Sequence, residues 1–212
     1  MPAAIVRAAY RGYRLRSTAM SRLPYLDPAD AEPHTAAVLP KAPDLGIFRM
    51  VANAQGAFPA WMRFGSTLFD GDEFDHLLRE FAITRVAAMT PGADYEWVQH
   101  AAITLSVGGT EDQLDAIRRG DDQAACLGAD GRLVVRFTTQ VVADASPDDA
   151  TFAAMSERFT PREIVHLLLV VGQYMMLGRI MSTSRIDLDP ALGASVVESA
   201  NTAIQARRNR RT

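Results

Sequence analysis

The sequence reads as an all-α chain, and three observations lead there. The stretch from Leu78 to Gly108 is apolar on most sides and breaks only at Pro91-Gly92, which predicts two mostly buried helices in series. Thr160-Pro161-Arg162-Glu163 combines a capping box with proline in the first turn and opens the long apolar run Ile164–Met181. The remaining segments between turn residues are helix-length runs that begin at helix start signals.

Residues 1–22 carry Arg7, Arg11, Arg14, Arg16 and Arg22 and no acid, the first acid being Asp27. That composition has the look of an organellar transit peptide. A disordered basic extension, or a start codon assigned too early, is favoured over it, because composition alone is a weak transit signal, and the extension is the expectation. Asp27-Pro28 predicts a helix with Asp27 as N-cap and Pro28 in first position, ending before Pro40. Leu39-Pro40 and Ala42-Pro43 mark a linker, because a residue preceding proline avoids the helical region. Asp44 is placed to cap the run from Leu45 to Gln55, and a further helical run follows from Phe58 to Phe69. Phe48, Met50, Phe58, Trp61, Met62 and Phe64 in these runs are expected in the core or a pocket wall.

Gly71-Asp72 predicts a turn, with Asp72 capping the helix that runs into Glu80; His76 falls at its exposed start. After Pro91-Gly92, Asp94 is the expected cap of the next helix. Thr110 and Gln113 fit a capping box for a short helix ending near Gly120. Asp121 to Gly131 reads as a loop, Arg132 to Asp144 as a helix, and Ser146-Pro147-Asp148-Asp149 as another helix start with a serine cap. The run Ile164–Met181 is long enough to weigh as a membrane span. His166, Gln173, Arg179 and the two glycines Gly172 and Gly178 favour a buried bundle helix instead, with the glycines permitting close packing and Tyr174 and Arg179 as polar groups in the core. The segment from residue 191 to 212 is expected to be a solvated tail ending in an arginine cluster.

The chemistry concentrates around the Pro91-Gly92 break. Glu80 and Arg85 on the first helix need partners if buried. On the second, Glu96 and His100 lie one turn apart on one face, so Glu96 is placed to hold the imidazole in one tautomer or raise its pKa. The pair reads as a candidate proton relay. The same spacing also describes a buried histidine merely satisfied by its neighbour, and both readings stand on the residues alone.

Several pieces of sequence resemble the carboxymuconolactone decarboxylase family, which shares its fold with the alkylhydroperoxidase D group. They are Leu78–Ala87, Tyr95–His100, the pair Gly108-Gly109 before Thr110–Ile117, and Phe159–Met181. The resemblance spans Leu23 to Pro190 and implies an alkylhydroperoxidase D-like helical bundle over residues 23–190. It further implies oligomers (trimer, hexamer or dimer) and a cofactor-free, metal-free site around a Glu and a His. In that reading His100 donates and accepts the proton, Glu96 orients it and Glu80 is the second acid–base group. Arg85, Trp97 and Tyr174 would contact the substrate, a small carboxylated lactone or related ring-cleavage product. The chain departs from alkylhydroperoxidases in lacking their C-x-x-C pair, whose positions hold Ala93 and Glu96.

Composition bounds the alternatives. A chain of 212 residues with 48% apolar residues supports one sizeable core, and a net charge of −3 argues against a nucleic-acid or membrane surface as main partner. The single cysteine, Cys126, excludes an internal disulfide and fits a reducing, cytoplasmic compartment. It also leaves a dithiol peroxidase without a resolving thiol, so peroxidase activity ranks behind the lyase reading. A non-catalytic oligomeric binding protein is the third class.

Overall fold

The computed structural model describes residues 21–69 and 73–191. The expectations for residues 1–20, for Gly71-Asp72 and for the tail after residue 191 lie outside the described residues. Within them the chain is all-α, with no strand. In chain order the α-helices are α1 (Pro33–Ala36), α2 (Gly46–Val51), α3 (Phe58–Thr67), α4 (His76–Met89), α5 (Asp94–Ser106), α6 (Glu111–Arg119), α7 (Gly128–Asp144), α8 (Asp149–Arg158) and α9 (Pro161–Ser184).

The architecture is organised around α4, which packs against α5, α6, α7 and α9. Every residue from Arg79 to Ala87 is buried, as expected of a helix apolar on most sides. Its start is capped by Asp75, whose side chain accepts from Leu78 N. Gly92, at φ +81, turns the chain between α4 and α5, so that the two helices pack against each other. The main core gathers Ile83 and Val86 of α4, Phe137 of α7 and Leu167 and Val171 of α9.

The capping boxes at Thr110/Gln113 and Thr160/Glu163 form as the spacing predicts, each with reciprocal hydrogen bonds. Other boundaries move for identifiable reasons. The helix expected from Asp27 is interrupted: Asp27 caps a single 3-10 turn at Pro28–Asp30, and Pro33 then forces Glu32 into extended backbone before α1. Asp44 does not cap α2; the Gly46 N–H at its start donates instead to Asp189 Oδ2 at 2.5 Å, a partner from the far end of the chain. Helix α7 begins at Gly128, earlier than Arg132, because Gly131 lets the backbone approach Phe81, whose ring would lie 2.9 Å from a Cβ there. Asp148, rather than Ser146, caps α8 by accepting from Thr151 N at 2.7 Å.

Helix α9 is long and apolar enough to cross a membrane by length and composition, yet half of its most apolar window is buried against the bundle. Gly178 provides close packing, next to Thr90 and Glu96. Gly172 does not, since nothing lies within 4 Å of where its Cβ would be, and Arg179 is exposed, not in the core. Phe64, expected inside, is exposed, whereas Met50 and Phe58 are buried. Beyond α9 the chain runs back across the bundle. Asp187 N donates to Tyr25 Oη, Tyr95 Oη donates to Asp189 Oδ2 at 2.6 Å, and Gln99 Nε2 donates to the carbonyls of Asp189 and Pro190.

Candidate functional site

Three helices bring the site together. Glu80 comes from the middle of α4, Glu96 and His100 from one face of α5, and Tyr174 from α9. His100 Nδ1 lies 2.8 Å from Glu80 Oε2, with both residues buried. With Glu80 ionised, Nδ1–H donates to it, which fixes the tautomer and leaves Nε2 as the nitrogen free of that bond. The Tyr174 ring stands edge-on to the imidazole, 4.7 Å between centroids at 84°, and holds the ring plane by packing. Burial, reinforced by the Glu80 carboxylate, pushes the Tyr174 hydroxyl well above the ordinary phenol range, so it remains a neutral phenol.

Glu96 departs from its expected role. It is not the partner that orients His100, because Glu80 occupies Nδ1. Both Glu96 oxygens are buried without a hydrogen-bond partner among the described residues. Its carboxyl lies along α9 at Gly178, where a Cβ would come 3.3 Å from Oε2. Burial raises its pKa well above the ordinary 4.5, since an ionised carboxylate there would have neither water nor a cation to replace its hydration. Glu96 is thus a neutral carboxylic acid beside a His–Glu pair. The two glutamates sit in different environments, Glu80 against the imidazole and Glu96 against Gly178 of α9.

Arg79 was not anticipated. It is buried, its Nε lies 3.8 Å from Glu80 Oε1, its Nη1 donates to Leu68 O at 3.3 Å, and its guanidinium covers the Phe69 ring at 4.5 Å. Phe69 in turn meets Tyr174 edge-on at 6.5 Å. Arg79 supplies the positive charge expected from Arg85. The available signal was its position next to Glu80 on a helix with few other polar residues.

Arg85 and Trp97 lie elsewhere. Arg85 lies five positions after Glu80, roughly 140° around the helix, so the two side chains leave α4 on different faces. Arg85 Nη1 donates to Ile117 O at 3.0 Å and Nε to Thr139 Oγ1 at 2.8 Å, tying the end of α6 to α7. Trp97 packs in a separate cluster with Ala87, Ala101 and Leu114, beneath the Arg118 guanidinium at 4.1 Å. Arg85 thus ties helices together, and Trp97 fills its own apolar cluster. Cys126 is exposed in the 3-10 turn between α6 and α7. Among the described residues, no group of three or more His, Cys, Asp or Glu side chains is arranged to hold a metal ion.

Chemically, the arrangement offers one imidazole with a buried acceptor behind it, one neutral acid and one neutral phenol. That set can move a proton and can donate hydrogen bonds to a developing oxyanion. Comparisons of the chain with protein-family models, with curated proteins and with solved structures find no match.

Proposed function

We propose that this protein is a cofactor-independent acid–base enzyme of the carboxymuconolactone decarboxylase type, built on an alkylhydroperoxidase D-like bundle. Its substrate is a small carboxylated lactone or a related ring-cleavage product. The observation that carries the reading is the buried Glu80–His100 contact at 2.8 Å beside the unpartnered carboxyl of Glu96. Buried polar atoms are ordinarily satisfied, and a cluster that leaves both oxygens of a carboxyl without partners is suited to a polar ligand. The absence of a cysteine pair at Ala93 and Glu96 directs the reading away from thiol chemistry.

The reaction follows from these roles. The bond between the ring carbon and its carboxylate breaks, carbon dioxide leaves, and the electron pair moves into the conjugated lactone carbonyl. Neutral Glu96 donates a hydrogen bond to the resulting enolate oxygen. Imidazolium His100 then delivers its Nε2 proton to carbon and regains one from solvent, so one proton is consumed for each carbon dioxide released. Glu80 orients and stabilises the imidazolium, the role that the spacing suggested for Glu96, while Glu96 takes the acid role that the family resemblance implied for Glu80. The test is a paired assay of the wild type and His100→Ala on a panel of carboxylated lactones, following carbon dioxide release, alongside hydroperoxide consumption with a dithiol reductant. Carbon dioxide release lost in His100→Ala, with helicity retained, is expected. Release that survives the substitution, or peroxide consumption lost on Cys126→Ser, would overturn the reading.

A further inference from the structure

Helix α9 presents two different sides. One carries Tyr174 and Gly178 into the site and the core. The other is an apolar stripe open to solvent. Val165, Leu168, Leu169 and Met176 keep 55%, 39%, 46% and 41% of their surface exposed. At about 100° per residue these four side chains and Gly172 fall on one face of the helix. The stripe has a centre: Gly172 lies four residues after Leu168 and four before Met176, and nothing comes within 4 Å of its Cβ position. Arg179 closes the stripe at one end, bonded to its own helix through Met175 O at 2.6 Å. At the other end Arg162 is held in an ion pair with Glu73.

We infer that this face is an interface between two copies of the chain, in which the α9 helices cross antiparallel about a two-fold axis at Gly172. An isologous contact needs one surface complementary to itself. The pattern meets that requirement: a bare backbone at the axis lets the helices approach, and Leu168 of each copy seats against Met176 of the other. Size agrees as well. The four side chains leave roughly 300 Å² of apolar surface per copy, the scale of patch that marks an interaction site. Doubled, and with apolar atoms making up about 60% of a typical interface, this corresponds to roughly 1,000 Å² in total, the lower bound for a specific contact. A membrane is the weaker occupant. Insertion in a membrane surface favours free cations flanking the apolar face, and the arginine at the start of α9 is already paired.

The 212-residue chain is examined by light scattering coupled to size exclusion, against a single-chain mass of 23.1 kDa. A mass of two chains is expected, falling to one chain in Leu169→Glu with unchanged far-ultraviolet circular dichroism. In a Cys126→Ser background, Gly172→Cys is expected to form a disulfide-linked dimer under mild oxidation, because only a two-fold at that position brings the residue within bridging distance of its own copy. A monomeric wild type, a trimer or larger ring, or a dimer indifferent to Leu169→Glu and uncrosslinked at position 172 would overturn the inference. So would a monomer that floats with anionic phosphatidylserine vesicles and loses that binding in Leu169→Glu.

Discussion

At the scale of single residues, the site depends on two glutamates in different surroundings, Glu80 bonded to His100 and Glu96 buried without a hydrogen-bond partner among the described residues. Glu96 retains its proton in the native chain to a pH well above 4.5, whereas the unfolded chain releases it near that value. The folded state therefore binds more protons through this window. The stability contributed by burying the neutral acid is complete below about pH 4.5 and is lost as pH rises toward the native pKa, by about 1.4 kcal/mol per pH unit. Glu96→Gln keeps the shape and removes the titration. Urea unfolding at a series of pH values should show wild type and variant alike near pH 4, with the wild type falling behind as pH rises; parallel curves would contradict a buried neutral Glu96. Glu80 is tested by rate, not stability. Glu80→Gln should lower kcat for the lactone reaction by about 10²-fold or more, with KM little changed, because His100 keeps its place but loses the charge behind its imidazolium.

At the scale of elements, the joint between α4, α6 and α7 shows how one side chain joins three helices. Arg85 satisfies the Ile117 carbonyl at the end of α6 and the Thr139 hydroxyl on α7. The turn after α6 is made by Gly120 at φ +71, and a Cβ there would meet Arg85 Nη2 at 2.6 Å. Gly120→Ala should cost about 1–2 kcal/mol from the left-handed backbone, plus the clash. Arg85→Ala should cost about 1–3 kcal/mol from the unsatisfied buried groups it leaves. The double variant should be less destabilised than the sum, since removing Arg85 relieves the clash. Chemical denaturation of the four proteins closes the cycle, and strict additivity would separate the two sites. The same joint explains why Arg85 resembled a substrate ligand in the linear chain: a buried arginine needs a partner, but spacing along one helix does not reveal that a carbonyl of another helix provides it.

At the scale of the whole molecule, the chain after α9 returns to hold its own beginning. Asp189 accepts from Tyr95 on α5 and from the Gly46 N–H at the start of α2, joining segments more than ninety residues apart. Asp189→Ala should destabilise the fold by about 1–3 kcal/mol and speed amide exchange at Gly46, while α4 remains protected. Unchanged exchange at Gly46 would show that this clasp does not hold α2. Because Tyr95 and Gln99 precede Glu96 and His100 directly, the returning segment also braces the helix that carries half of the site.

What could be read in the linear chain was whatever local chemistry controls. The two capping boxes, the break at Pro91-Gly92 and the burial of α4 follow from propensity, proline geometry and apolar content within a few residues, and these set the all-α class and the convergence of interest on Glu80, Glu96 and His100. Partner choice was decided only by packing. A one-turn spacing placed Glu96 and His100 on one face, yet α4 delivers Glu80 to His100 first, and Gly178 of α9 isolates Glu96. Arg79, not Arg85, accompanies Glu80 because helix phase and the neighbouring Leu68 carbonyl turn it inward. Hydrogen bonds between helices depend on rotation and distance in three dimensions, whereas helix starts and stops depend on neighbours along the chain, so the sequence alone determined the elements and the tertiary structure decided which charges meet.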